Sequence, residues 1–404
     1  MIHEYILAQR EAALPWHKKL RVEVCGLMDK FRYLSYAQEV VFAPGSMAQL
    51  SESVERFAWK KLLLCTNHSM QAQGHVDSIK DSLGERLATT FDRVQPHVQD
   101  TQVDEVLGLA LEHEVDAIIG MGGGSPIGMA KAISHALAAA PPKDKLLIPV
   151  IAIPTTYAGS EMTAVYGITH SREIPPRKVT VNDPKIAPRL VIYDPQLTLD
   201  LPPEMTASTG INALAHCIEA LYSRTRNPLS TAAAIDGVRH IKNALLICYQ
   251  DANNLEARTE MLLGAHLAGL SLASVSMGLH HGLCHVLGGT ANVLHGIANS
   301  IILPYAIRFN ADVTASELLP AAKAMGISVN GNGPRVATEA LAKEIFDLVG
   351  SMNLPQRLRD TGGDLKESDL PQLAQIAFQN PTVQNNPKPI TEPAEIETVL
   401  RAAW

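Results

Sequence analysis

A chain of 404 residues is long enough for two domains with substantial cores. Its composition, 46% hydrophobic and 19% charged, is that of a globular protein and excludes a disordered or fibrous one. A formal charge of −7 gives no electrostatic reason to bind nucleic acid or an anionic membrane, so an anionic substrate would need a local cluster of cations.

Residues 1–30 read as an N-terminal extension, helical in part, with charges scattered through apolar sequence and no apolar block of the secretory kind. No run of the chain approaches the ~20 apolar residues of a membrane span. Cys25, Cys65, Cys217, Cys248 and Cys284 are odd in number and scattered, which suits free thiols in a reducing compartment. A cytoplasmic protein is expected.

From residue 31 to 196, short apolar runs alternate with helical patterns. Residues 39–42, 61–65, 116–120, 146–154 and 190–194 read as strands, and 47–59 and 101–114 as helices. The runs near 62, 117 and 150 lack period-2 alternation, as strands buried on both faces of a parallel sheet do. This predicts an α/β, doubly wound, Rossmann-like domain. From 197 to 404 the pattern is helical, as in 207–223, 230–250, 254–276 and 337–352, with Pro202 and Pro203 marking the change. The expected architecture is α/β followed by an all-helical domain, with a ligand site between them.

Gly122, Gly123, Gly124 and Ser125 follow a buried strand and open a helix. Glycines let the backbone approach a bulky anion, and free amides at a helix start point at it, so a pyrophosphate fits there. A plain strand–helix turn explains the same residues without a ligand. The next buried strand runs into Thr155, Thr156, Tyr157 and Ser160, hydroxyls that suit ribose, phosphate or amide groups at a strand's carboxyl end.

Asn212 and His216 stand four apart on one helical face, as do His281 and His285, and His295 follows a glycine-bearing bend. His216, His281 and His295 have the makings of a metal site. A divalent metal also favours a carboxylate to offset its charge, and the fourth position on that face is Asn212, a neutral amide. The sequence therefore argues against a metal without excluding one.

The runs "GGGSPIGMAKAI", "IPTTYAGSEMT", "YDPQLTLDLP", "NALAHCIEALY" and "HGLCHVLGGTANVLHGIAN" occur in order from about residue 39 to the C-terminus. Together they resemble the group III, iron-containing alcohol dehydrogenases. The metal-dependent pattern of that family has Asp where this chain has Asn212 and Gly128. The variants here, with the tail "QNPTVQNNPKPIT", resemble the branch that reduces maleylacetate.

The resemblance implies a dehydroquinate synthase-like fold and a homodimer. It implies NAD(P)H-dependent reduction of the carbon–carbon double bond of maleylacetate, a dicarboxylate, to 3-oxoadipate in aromatic-compound degradation. No metal is expected. Gly122 to Ser125 would cradle the pyrophosphate, Thr155, Thr156 and Tyr157 would flank the nicotinamide side, Ser160 would join the cofactor-binding residues, and Lys178 would contact ribose or phosphate. Asn67 stands where an Asp often binds the adenosine ribose, and it carries no charge to repel a 2′-phosphate. NADH is the expected cofactor, with NADPH tolerated. Asn212, His216, His281 and His295 would surround the substrate, with His285 nearer the nicotinamide moving the proton. Arg177, Arg224 and Arg226 are candidate partners for its carboxylates by position alone. Two other readings stay open: a metal-dependent dehydrogenase acting on an aldehyde or ketone, and a nucleotide-binding homologue without catalysis.

Overall fold

The computed structural model describes residues 31–139, 147–172, 177–329, 333–362 and 365–404. The N-terminal extension expected over 1–30 lies outside the described residues.

The strands of the first part are β1 (Glu39–Phe42), β2 (Leu62–Cys65), β3 (Leu87–Phe91), β4 (Ala117–Gly122), β5 (Val150–Pro154), β6 (Val165–His170), β7 (Arg177–Asn182) and β8 (Leu190–Tyr193). Between them stand α1 (Leu50–Arg56), α2 (His68–Ala72), α3 (His75–Leu83), α4 (Asp100–Glu112) and α5 (Gly124–Ala139). Six strands form one parallel sheet in the order β1-β8-β5-β4-β2-β3. Alternate residues of its central strands enter separate cores. Leu62, Leu64, Ile119, Ile151 and Ile192 pack with Leu50, Val54 and Ile79. Leu63, Cys65, Ile118 and Val150 pack on the other face with Val106, Met129 and Ile133. With both faces covered there is no polar side to alternate, which is why these runs read as continuously apolar.

β6 and β7 form a separate antiparallel hairpin, Tyr166 opposite Val181. Neither it nor β3 was expected. The β3 sequence LATTF is mostly half-buried at the sheet edge and carries little apolar signal.

After β8 the described chain is helical: α6 (Pro203–Tyr222), α7 (Pro228–Gln250), α8 (Leu255–Ser274), α9 (Leu279–Thr290), α10 (His295–Ala324), α11 (Pro334–Ser351), α12 (Leu370–Phe378), α13 (Pro381–Gln384) and α14 (Pro393–Ala402). Pro203 enters α6 at its first turn, where its missing N–H costs nothing. Asn227 and Ser230 cap α7 reciprocally. Among the described residues no single helix is long and apolar enough to cross a membrane.

The sheet has a switch point between β2 and β4. They are neighbours, but the chain leaves β2 toward β3 on one side and β4 toward β5 on the other. Open α/β sheets bind ligands in the crevice at such a point.

Candidate functional site

The glycine turn and Asn67 flank that crevice. Residues 123–125 are half-buried, and α5 begins within the turn at Gly124. Gly122 has φ +136°, a conformation L side chains rarely adopt. A Cβ on Gly123 would lie 3.3 Å from Thr156 Cγ2, so the turn faces the hydroxyl loop. The two are tied where Thr155 N donates to Gly122 O at 3.0 Å. The Ser125 hydroxyl accepts from the His97 backbone at 3.2 Å. Thr66 Oγ1 donates to Met121 O at 2.9 Å and holds the end of β2 against β4. Asn67 therefore stands beside the turn. Its side-chain oxygen caps α2, accepting from Met70 N at 3.3 Å and Ser69 Oγ at 2.7 Å. Both contacts use the side-chain oxygen and not the amide nitrogen. The backbone of Lys178 lies in β7, but its side chain and that of Arg177 are outside the described residues.

The hydroxyl loop divides its residues. Thr155 and Thr156 stay beside the glycine turn. Tyr157 does not join them: its hydroxyl accepts from the buried Arg258 Nη1 at 3.0 Å, and its side chain is fully buried. The expectation that Tyr157 flanks the nicotinamide is corrected by this geometry, which makes it a strut. Ser160 is held by Lys131, whose ammonium donates to Ser160 O at 2.6 Å, Thr163 Oγ1 at 3.2 Å and Val165 O at 3.0 Å. Burial pushes Lys131 down to about 7, with Glu161 acting against that shift. Glu161 is itself buried and accepts from Tyr193 Oη at 2.8 Å. The same loop reaches the helical part. Ala158 O accepts from Asn212 Nδ2 at 3.4 Å, and a Cβ on Gly159 would lie 3.5 Å from His216 Nδ1.

The four predicted histidines come together in a row. The His216 and His281 rings stack with centroids 4.6 Å apart, His295 lies 6.3 Å from His281, and His285 stacks on His295 at 5.8 Å. His216 and His281 are buried, His295 is half-buried and His285 is exposed, so the row runs from the interior to solvent. Burial, then the neighbouring His281 and His280, holds His216 well below its ordinary value, and burial lowers His281. Three inward atoms, Asn212 Oδ1, His216 Nδ1 and His281 Nε2, are buried with no hydrogen-bond partner among the described residues. Orphaned atoms of this kind, grouped together, call for a ligand.

Behind the row lie two residues that sequence reasoning missed. Glu219, one turn after His216 on α6, is buried. Its carboxylate accepts from Gly278 N at 3.0 Å, His281 N at 3.2 Å and the His281 Nδ1–H group. Burial opposes its ionisation, but the N–H groups of His280 and His281 outweigh that and hold the carboxyl well below its usual range. His280 Nδ1 lies 3.6 Å from Glu219 Oε2, and His280 Nε2 bonds Asn299 O at 3.2 Å. Burial works against charge on His280, but Cys284 and Glu219 push it up to about 10. The motif HCIE at 216–219 was the available signal, since it places a carboxylate one turn from a histidine.

The candidate arginines are not drawn into this group. Arg224 is exposed, and Arg226 pairs with Glu317 at 3.2 Å.

Comparison with known proteins gives these findings. Family models described as iron-containing alcohol dehydrogenase and as the C-terminal part of the Fe-containing alcohol dehydrogenase family match residues 37–195 and 206–404. A maleylacetate reductase of Burkholderia cepacia is 34% identical, over 93% of this chain and 98% of its own length. The crystal structure of maleylacetate reductase from Agrobacterium tumefaciens superposes with a TM-score of 0.81 at 31% identity, covering 93% of this chain and 99% of that one. A sulfoacetaldehyde reductase from Bifidobacterium kashiwanohense, in complex with NAD+, gives a TM-score of 0.82 at 25% identity, over 93% and 99% of the two chains.

These family models overturn the expectation that no metal is held. The donor set agrees with the correction. Asn212 Oδ1 and three imidazoles, those of His216, His281 and His295, offer one oxygen and three nitrogens, with orphaned atoms among them. Asn212 misled because helical spacing reveals only the donors that share a face. The carboxylate that seemed missing is Glu219, behind the row and bonded to His281.

Proposed function

This chain belongs to the iron-containing alcohol dehydrogenase family and is an oxidoreductase, and we propose that its reaction is the NADH-dependent reduction of the carbon–carbon double bond of maleylacetate to 3-oxoadipate. The observation that carries the substrate is the likeness, over nearly the whole chain, to reductases of that name. NADPH is tolerated in this reading, because Asn67 presents N–H donors and no negative charge to a 2′-phosphate. A division into a dinucleotide-binding part, 31–196, and a catalytic helical part, 197–404, belongs to the same proposal, supported by the change to helices alone after β8. So does a homodimer.

The dinucleotide lies with its pyrophosphate over Gly122 to Ser125, where backbone amides at the start of α5 meet the charge. Thr155 and Thr156 then set the nicotinamide end toward the loop that touches Asn212 and His216. Hydride adds to the alkene carbon β to the ketone, charge collects on the ketone oxygen, and a proton goes to the α carbon. A metal held by Asn212, His216, His281 and His295 would supply Lewis-acid stabilisation of that oxygen. Glu219 holds the Nδ1–H of His281, which leaves that ring's lone pair on Nε2. His285 and His295 connect the site to solvent, and His285 delivers the proton. Thr155 and Thr156, both buried at the end of β5, shield the nicotinamide end from water in this reading.

The test is NADH consumption with maleylacetate and identification of 3-oxoadipate, on protein of measured metal content. Turnover of maleylacetate that falls on chelation and returns with Fe2+ or Zn2+ is the expected result. Reduction of simple aldehydes or ketones with maleylacetate untouched would replace this substrate by the alcohol dehydrogenase reading.

A further inference from the structure

Glu219 lies outside the row that meets the substrate, yet it is the most heavily bonded carboxylate behind it. It receives the first amides of α9, Gly278 N at 3.0 Å and His281 N at 3.2 Å. Those are groups a helix cannot satisfy internally, and the helix dipole favours a negative charge there. The same carboxylate accepts the Nδ1–H of His281. An imidazole with its proton fixed on Nδ1 has its lone pair on Nε2, the atom that is buried and orphaned among the described residues. Although Glu219, His280 and His281 place ligand atoms within 4.8 Å of one another, His281 Nδ1 is already taken by Glu219, so this triad is not itself the metal position.

The donors facing the site carry no charge of their own: one amide oxygen at Asn212 and the imidazoles of His216, His281 and His295. We propose that Glu219 is a positioning residue that presents His281 Nε2 to the metal and supplies, through that imidazole, the negative charge that Asn212 does not. This rests on the metal of the family reading and not on the identity of the substrate. Outer carboxylates that hold a liganding histidine raise its basicity, and their loss weakens metal binding about 10–100-fold. His280, 3.6 Å from Glu219 Oε2, is common to every variant compared below, so differences among them read Glu219, Asn212 and His281 and not His280.

The experiment titrates Zn2+ into the stripped full-length chain against a chromogenic chelator, without any substrate. Glu219→Gln is expected to weaken Zn2+ about 10–100-fold, with circular dichroism unchanged. Asn212→Asp is expected to tighten it, and Asn212→Asp/Glu219→Gln to return toward the wild type. The proposal is overturned if folded Glu219→Gln binds Zn2+ as the wild type does. It is also overturned if the double variant binds no better than Glu219→Gln, or if the wild type binds no better than His281→Ala. Should Glu219→Gln not fold, a 15N-histidine spectrum of the unaltered protein decides: His281 appears as the Nδ1–H tautomer, and an Nε2–H form sinks the idea. Loss of Zn2+ in Glu219→Gln from a protein that reduces no maleylacetate would keep this inference and remove only the substrate.

Discussion

His285 is the solvent-side end of a row whose other end, His216, is buried, and that difference separates a proton carrier from a ligand. His285→Ala is expected to lower kcat about 100-fold, the size of a lost general acid, with KM for NADH unchanged. Added imidazole should restore part of the rate, and an unchanged kcat would remove His285 from the proton path. His266 offers a separate test of burial. Burial lowers it from 6.5 to about 4, so the folded protein keeps it neutral where the unfolded chain takes up a proton. Its contribution to stability is full above pH 6.5 and is lost as the pH falls toward 4. Urea midpoints should therefore drop less on acidification to about pH 5 in His266→Gln than in the wild type. Equal drops would show that His266 has no share. Asn212 and the four histidines were legible because their side chains carry chemistry at helical spacing. Glu219 was not, because a carboxylate in a helix reads as solvated until α9 is seen to start against it.

The glycines at the end of β4 do two different jobs, and substitution separates them. A Cβ on Gly120 would lie 2.8 Å from Ile127 Cα and 2.9 Å from Pro126 O, backbone atoms that move only if α5 does. Gly120→Ala is therefore expected to cost about 1–3 kcal/mol of stability by overpacking, measured by denaturant unfolding. Gly123 has more room, its nearest neighbour being a Thr156 methyl at 3.3 Å from the added Cβ. Gly123→Val should displace Thr156 at some cost in stability and, because it fills the cradle, raise KM for NADH about tenfold. A stable Gly120→Ala or an unchanged KM in Gly123→Val would reverse these assignments. The turn was readable from sequence as a place where the chain passes from an apolar strand to a helix, but not its use, because a plain turn needs the same glycines. β3, β6 and β7 were not, since half-buried edge and hairpin strands carry Thr, Lys and Arg where the central strands carry Leu and Ile. Tyr157 was misread for a related reason: a hydroxyl at a strand's end looks the same from sequence whether it turns to a ligand or to the interior.

What holds the sheet and the helices in one arrangement is largely apolar packing, but polar residues also span the seam, Arg258 with the most bonds. Arg258, on α8 and fully buried, donates to Tyr157 Oη at 3.0 Å, Thr206 Oγ1 at 2.9 Å, Leu201 O at 3.4 Å and Ala252 O at 3.1 Å. It joins the loop after β5, the segment leading into α6 and the α7–α8 turn. In sequence it is one charge in a helix, NLEARTEMLL, indistinguishable from a surface arginine. Arg258→Met keeps most of the volume and strands these acceptors in a dry interior, at an expected cost of about 3 kcal/mol. Tyr157→Phe removes one hydroxyl and should cost about 1 kcal/mol. The double variant should cost less than the sum, since a ring already stripped of its hydroxyl leaves nothing there for the missing guanidinium to strand. Thr155, Thr156 and Gly159 flank Tyr157 in the chain, so Arg258→Met should also raise KM for NADH. Strict additivity of the two unfolding costs, with KM unchanged, would mean that the Arg258–Tyr157 bond is incidental and that apolar contacts alone align the cofactor turn with the histidine row.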